Sequence, residues 1–300
     1  MSNATKPKAG VVIAYLFAPV LIFVFSVFVP LITAFVYSFF EWKGGPVKTF
    51  NGLTNYSQLF SDETFWLSFG HNLFLVAVCI VGQIGLAFIF VLMISSRLVK
   101  FKQVHRTFGF FPSTLAAVTI GFVWKMIYDY NRGIINWFLE LIGRDDLKQV
   151  WLNNTDLVML LVAIPLVWQW IGYYMVIILS AIAAVDQEIF EVAELDGANG
   201  FQRAVYIVLP LIKNTLLVCV TLCIAGNMKS FDNIYVMTKG GPGYSSMVMA
   251  MYGYQVSFSQ TNLGYGSTIS VGIFVLSILV IGGSQALVNK LTQEKVQKEG

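Results

Sequence analysis

Of the 300 residues, 57% are hydrophobic and only 12% carry a charge, and the mean hydropathy is +0.71. A soluble domain carries about a quarter charged residues, so this composition excludes one and asks for a bilayer. The net charge of +3 is small and spread along the chain, which argues against nucleic acid as a partner.

Residues 1–10 are short and polar, with Lys6 and Lys8. From Val11 to Phe40 there is no charge at all. That run exceeds the roughly 20 residues needed to cross hydrocarbon and is far longer than the apolar core of a signal peptide, so it predicts an uncleaved first span. A loop is expected at 41–71, with Gly44-Gly45-Pro46, Asn51-Gly52 and the acidic Asp62-Glu63. The second span is predicted at about 72–95, and Arg97, Lys100, Lys102 and Arg106 follow it. The third, about 107–128, contains Pro112 and Lys125. A polar segment at 129–156 leads to a fourth span at 157–184, and a second polar stretch, 186–210, to a fifth at 211–236. A glycine-rich loop with a short apolar helix at about 247–259 precedes the sixth, 263–288, and the tail carries Lys290, Lys295 and Lys298. The expectation is a single all-α, polytopic membrane domain over residues 1–300 with six transmembrane helices.

An even number of spans puts both termini on one side, together with the 97–106 and 186–210 segments. Lys and Arg are denser on that side, which makes it cytoplasmic. Trp42, Trp66, Trp137 and Trp151 fall in the outer segments, as an interfacial belt would. Cys79, Cys219 and Cys223 lie inside predicted spans and read as small apolar fillers rather than ligands or a disulfide. His71 and His105 flank spans, and no metal-ligand spacing is visible.

The 186–210 stretch is unlike the rest. Glu188, Glu191 and Glu194 recur three apart while Ile189, Val192, Ala193 and Leu195 fall on another face, which predicts a short amphipathic helix. Asp196-Gly197 signals a turn, since Gly tolerates the positive φ that stops a helix. Asn199 is a good N-cap for a second short helix running toward Pro210, which suits the first turn of the next apolar helix. Two short helices meeting at a glycine make a compact knob, fit to dock in a groove on another protein.

The same residues resemble the EAA loop of the membrane subunits of binding-protein-dependent ABC importers: Glu-Ala-Ala, three residues, Gly, nine residues, then Ile-x-Leu-Pro. Here the pattern is Glu191-Val192-Ala193, Asp196-Gly197-Ala198 and Ile207-Val208-Leu209-Pro210. Val192 replaces the usual first Ala, and Ala204 stands where the sugar branch commonly has an aromatic residue. A second string, Phe231-Asp232-Asn233-Ile234-Tyr235 through Thr238-Lys239-Gly240-Gly241-Pro242-Gly243, is similar to the sugar-transporting branch. The resemblance implies a type I permease with an extra N-terminal span at 11–40, a core of about 72–288 and a cytoplasmic coupling loop at 186–210. It implies ATPase coupling through Glu191, Ala193, Asp196, Gly197, Ala198, Ile207, Leu209 and Pro210. It further implies a second related permease, two ATPase subunits that carry ATP and Mg, an extracellular binding protein, and no cofactor on this chain. The setting would be a bacterial or archaeal cell membrane.

No Gly-x-x-x-x-Gly-Lys-Ser/Thr loop, Gly-x-Ser-x-Gly elbow or His-Glu-x-x-His helix occurs in the sequence. The carboxylates of Glu191, Glu194 and Asp196 read as a docking or solvated face, not an acid–base pair. Inside the bilayer, polarity concentrates at Trp168, Gln169, Trp170, Tyr173 and Tyr174, and at Asn227, Lys229, Ser230 and Asp232. Such groups face a cavity or a partner. Two readings stand side by side. Rings beside amides suit a sugar path through Gln169, Trp170, Tyr173, Asn227 and Ser230; alternatively the amides are hydrogen-bonding glue between helices, with Lys229 and Asp232 at the headgroups. In maltose-type importers the substrate lies between the spans flanking the EAA loop, and Asn227 and Trp170 stand at comparable distances from it. A polyol or glycerophosphate cargo, an intramembrane glycosyl-transferring enzyme and a simple channel are the rival expectations.

The topology can be checked by labelling. A cysteine placed at Ser2 is expected to stay unlabelled by a membrane-impermeant maleimide in intact cells and to react after permeabilisation; labelling in intact cells would reverse the orientation.

Overall fold

A bilayer offers backbone N–H and C=O groups no water, so a chain this apolar must satisfy them internally, and helices do so along their own length. The computed structural model of the chain describes residues 9–95 and 99–299; Ser2, Lys6, Lys8, Arg97 and the side chains of Lys295 and Lys298 lie outside them. Among the described residues, five helices are long and apolar enough to cross a membrane, and a bent pair makes six if it counts as one span. The only strands among them, β1 (Phe40–Glu41) and β2 (Thr49–Phe50), pair antiparallel with Phe40 opposite Phe50.

The chain forms two compact units. The first comprises the residues up to Asp62 and Gly253–Gly272. It holds α1 (Gly10–Tyr37), the β1–β2 hairpin, α2 (Thr54–Ser61) and the first turns of the last helix. The apolar side chains of α1 are exposed, as those of a helix facing lipid are. Its end is tied down by polar groups. The buried Asn55 donates to the carbonyls of Ser38 and Phe40 at 2.9 and 3.0 Å, and Thr268 Oγ1 reaches Ser38 O at 3.2 Å. Gly264 is needed here, because a Cβ would lie 2.1 Å from Phe40 O.

The second unit, Glu63–Tyr252 with the chain from Ile273, carries the remaining spans. In it, α3 (Glu63–Ser95) begins well before the expected residue 72. Hydropathy misses its first turns, but Phe65, Ser68, Asn72, Leu75, Val76 and Cys79 recur at helical spacing and are buried. Glu63 also favours the positive helix N-terminus. The expected third span is not one helix. Helix α4 (Lys102–Phe110) runs into a 3-10 turn, Phe111–Thr114, and α5 (Ala117–Ile127) leaves at 98°. Pro112 lacks the N–H that would continue the ladder, and Leu115 and Ala116 are extended. The outer segment then folds around buried Asn136 of α6 (Ile134–Leu141), which donates to Tyr130 O and Gln149 O at 3.1 Å and accepts from Trp151 Nε1 at 2.8 Å. Trp151 is therefore held by an amide, whereas Trp137 is 59% exposed. Nearby, the hydrogen bond to Glu140 and then the Asp145 carboxylate hold the Lys148 ammonium above its ordinary range.

Helix α7 (Val158–Ala183) agrees with the expected fourth span to within a residue at each end. It contains Pro165, which cannot donate to Leu161 O; the Tyr128 hydroxyl does so instead, at 3.0 Å. At Gly172, α7 meets α4 so closely that a Cβ would lie 1.9 Å from Gly109 O. After the polar loop, with α8 (Gln187–Leu195) and the helical stretch α9 (200–211), the expected fifth span is also broken. Helix α10 (Lys213–Met228) stops, residues 229–231 are irregular, and α11 (Asp232–Met237) resumes. The short α12 (Met249–Tyr254) and the long α13 (Leu263–Glu299) follow; α13 runs past the expected end at 288.

The break after Met228 exposes carbonyls inside the protein, and the fully buried Asn72 meets them. Its Nδ2 donates to Asn227 O at 2.8 Å and Met228 O at 3.3 Å, and its Oδ1 accepts from Met249 N at 2.9 Å. Asn72→Leu keeps the volume and removes every one of these bonds. Each orphaned group should cost about 1–3 kcal/mol. A lowered unfolding midpoint in detergent is the expected result; an unchanged midpoint would mean that other groups take over.

Candidate functional site

The two broken spans leave a cavity of about 550 Å³ beside α7. Such a volume falls in the common range for small-molecule sites. All five residues expected on a solute path, Gln169, Trp170, Tyr173, Asn227 and Ser230, line it. Trp168 does not; it is 40% exposed on another face of α7 and meets Trp124 edge to face, with centroids 6.1 Å apart.

The structure also settles how the amides are held. Gln169 is 2% exposed, and its Nε2 donates to Leu115 O at 3.1 Å, the carbonyl at the bend between α4 and α5. Asn227 Nδ2 donates one turn back to Cys223 O at 2.8 Å. Gln83, a lone amide in an apolar run, donates to Leu166 O at 3.1 Å and lies 3.5 Å from Cys223 Sγ through its Oε1. Gln169 and Gln83 thus each tie two segments together, Asn227 braces only its own helix, and all three also line the cavity.

Aromatic rings form another part of the wall. Trp170 and Tyr173 meet at 88° with centroids 5.6 Å apart, and Phe231 stacks on Tyr235 at 5.2 Å. The charged lining residues are Lys229 and Asp232, both exposed to the cavity side of the break and in no ion pair among the described residues. Sequence reasoning left these two either facing a cavity or in the headgroup layer, read Cys223 as an apolar filler, and did not name Gln83 or Asn233 for the path. For Gln83 the signal was available, since a lone amide in a span is costly without a role. The three cysteines are free, and Cys223 lines the cavity.

The polar loop folds as a second feature. Helix α8 ends in a left-handed turn: Gly197 has φ +75°, Gly197 N donates to Glu194 O at 3.2 Å and Ala198 N to Ala193 O at 3.0 Å. This pair of bonds is a Schellman turn, and it needs glycine at that position. Asn199 caps α9 with a reciprocal bond to Gln202, at 2.9 Å each way, and Glu194 lies 3.7 Å from Arg203 across the turn. Ala193 and Ala204 are buried, at 6% and 2% exposure. Pro210 sits within the last helical turn of the knob rather than at the start of the next span, and the break falls at Ile212. Glu191, Asp196, Gly197 and Pro210 are exposed, while Ala198, Ile207 and Leu209 are half-buried. Leu195, Phe201 and Tyr206, at 87%, 74% and 72% exposure, present an apolar surface among the carboxylates.

Residues 92–293 match the family described as the binding-protein-dependent transport system inner membrane component. The chain is 32% identical over 270 residues to the probable ABC transporter permease protein YurN of Bacillus subtilis, covering 89% of this chain and 92% of that one. It is 29% identical over 268 residues to the arabinooligosaccharides transport system permease protein AraP of Halalkalibacterium halodurans, covering 89% and 83%. The crystal structure of a bacterial ABC transporter involved in the import of the acidic polysaccharide alginate has the same fold, with a TM-score of 0.82 at 18% identity, over 95% of this chain and 97% of that one. With six potential spans, a matching family pattern over most of the chain and likeness to a permease along nearly its full length, this protein belongs to the inner membrane components of binding-protein-dependent transport systems, the permeases of ABC importers.

Proposed function

We propose that this permease forms the translocation path for a sugar or oligosaccharide. The observation that carries the reading is the cavity, where Trp170, Tyr173 and Phe231 stand beside Gln83, Gln169, Asn227 and Asn233. Ring faces stack on the CH face of a sugar, and amides supply both donors and acceptors for hydroxyls. The arabinooligosaccharide permease among its relatives supports the same cargo class.

Driving force comes from outside the chain. The knob of α8 and α9 seats in a groove of an ATPase subunit, with Leu195, Phe201 and Tyr206 as apolar anchors and Glu191 and Asp196 as polar contacts. ATP and Mg belong to two such ATPases, and this chain binds no cofactor. When the ATPases close over ATP, the knobs of this permease and of a second, related one approach each other. The spans then pass from inward-open to outward-open, an extracellular binding protein delivers cargo, and hydrolysis resets the cycle. Both termini lie in the cytoplasm of a bacterial or archaeal cell.

Asn227→Leu should lower uptake while leaving assembly and affinity for the binding protein intact, because a cargo hydroxyl loses a partner at about 1–3 kcal/mol. Normal uptake kinetics in that variant would remove Asn227 from the path.

The knob makes a separate prediction. Gly197→Val forces a β-branched residue to φ +75°. Strain of that kind costs on the order of 1–3 kcal/mol and should splay α8 from α9. Glu191→Ala should weaken docking with the fold intact. Both variants should insert and pair with the second permease, yet retain less ATPase on purification and lose transport. A Gly197→Val variant that transports and keeps its ATPase like the parent would refute the coupling role.

A further inference from the structure

Between Glu63 and Asp129 the chain has no acidic side chain, and within that interval stand Arg97, Lys100, Lys102 and Arg106. They cluster where α3 ends at Ser95 and α4 begins at Lys102, at the edge of two spans. Among the described residues, Lys100, Lys102 and Arg106 are in no ion pair. Lys102 Nζ donates to Ser95 O at 3.2 Å, which ties the two helix ends together and leaves the ammonium two further protons. Lys102 and Arg106 are one turn apart and share a side of α4. On the neighbouring side Phe101, Val104 and Phe108 recur at helical spacing and are exposed, the two rings at 79% and 75%. Phe101 also has φ +54°, a left-handed conformation that a bulky side chain resists. A ring held there and so exposed packs little within the chain, so what it meets lies outside. The last turns of α3 are exposed too, at Ile89, Phe90 and Met93, so apolar surface reaches this junction from the span.

We infer that the junction of α3 and α4 binds an anionic phospholipid, and the inference stands whatever the cargo. Lys100 and Lys102 contact the headgroup phosphate. Arg106 is half-buried with its Nε enclosed, so it adds its charge behind them rather than a bond through that atom. Phe101, Val104 and Phe108 lie along the acyl chains, as the apolar face of an interfacial helix does. Charge makes the choice of lipid. A cationic cluster without carboxylates attracts a headgroup of net negative charge, whereas a zwitterionic headgroup brings its own ammonium to the same place. An acidic protein surface would satisfy the cations alone and leave the rings and the end of α3 unaccounted for.

The test takes the assembled transporter, stripped of lipid in detergent, and titrates it with phosphatidylglycerol or phosphatidylcholine, reading bound lipid by native mass spectrometry. The parent should retain phosphatidylglycerol in preference to phosphatidylcholine. Each cation near a membrane surface is worth roughly fivefold in affinity, so Lys100→Gln with Lys102→Gln should weaken phosphatidylglycerol roughly twenty-five-fold. Phosphatidylcholine binding should not change. Lys125→Gln removes an equal charge from α5, beyond the bend, and should leave retention at the parent's level. If the double variant does not assemble, Lys100→Gln alone gives the reading, with a loss of roughly fivefold. A parent without preference between the two lipids overturns the inference, as does a double variant that binds phosphatidylglycerol like the parent. An equal loss in Lys125→Gln would reduce the effect to net charge and overturn the site. Release of the lipid by inorganic phosphate at constant ionic strength would reassign the cations to a soluble anion. Loss of the ATPase or the second permease from the double variant, with lipid affinity intact, would reassign them to a protein surface.

Discussion

The buried polar groups around the cavity answer to one constraint: in a bilayer, a carbonyl that leaves a helix ladder must find a side chain. Asn72, Gln169 and Tyr128 meet it, while Gln83 and Asn227 add bonds to carbonyls within helices. Asn72 holds the carbonyls at the end of α10, Gln169 the one at the bend between α4 and α5, and Gln83 reaches Leu166. Tyr128 replaces the donor that Pro165 removes, and Asn227 braces its own helix at Cys223. Irregular backbone at membrane depth is tolerated only where protein buries it or where it lines a cavity. Here both conditions hold at once, and the cavity is the result.

Packing and polarity thereby support each other. Gly172 lets α7 approach the α4 backbone, and Gly82 of α3 is pressed against Val167 of α7, where a Cβ would lie 2.7 Å from a methyl group. Small residues of this kind are how membrane helices come close without a hydrophobic driving force. With the α7 backbone so fixed, Gln169 is held where it bridges the bend on one side and Asn233 on the other. The amides Gln83, Gln169 and Asn227 in the cavity wall are consequently held at one end by hydrogen bonds.

Much of this was legible in the residues, and the remainder was hidden for definite physical reasons. The uncharged run after residue 11, α7 and the turn at Gly197 rest on local chemistry, so composition and spacing show them. The start of α3 at Glu63 depends on an amphipathic period outside the most apolar window, and hydropathy does not report it. Pro112 was visible as a breaker, but the size of the bend depends on Leu115 finding Gln169, 54 positions away. Asn72 and the end of α10 are separated by 155 positions, and nothing local in either segment points to the other. The contact of Asn233 with Gln169, 64 positions away, was hidden for the same reason.

The turn at Gly197 has a mechanical consequence. Two Schellman bonds close α8, a capping box opens α9, and the Glu194–Arg203 contact spans the turn, with Ala193 and Ala204 both buried. A segment so stapled has little internal compliance. A load applied to its exposed surface is not absorbed by bending the knob; it passes to the chain at either end, the close of α7 and the kink at Ile212. The knob is therefore the more regular part, and the span that follows it is interrupted at Ile212 and again after Met228.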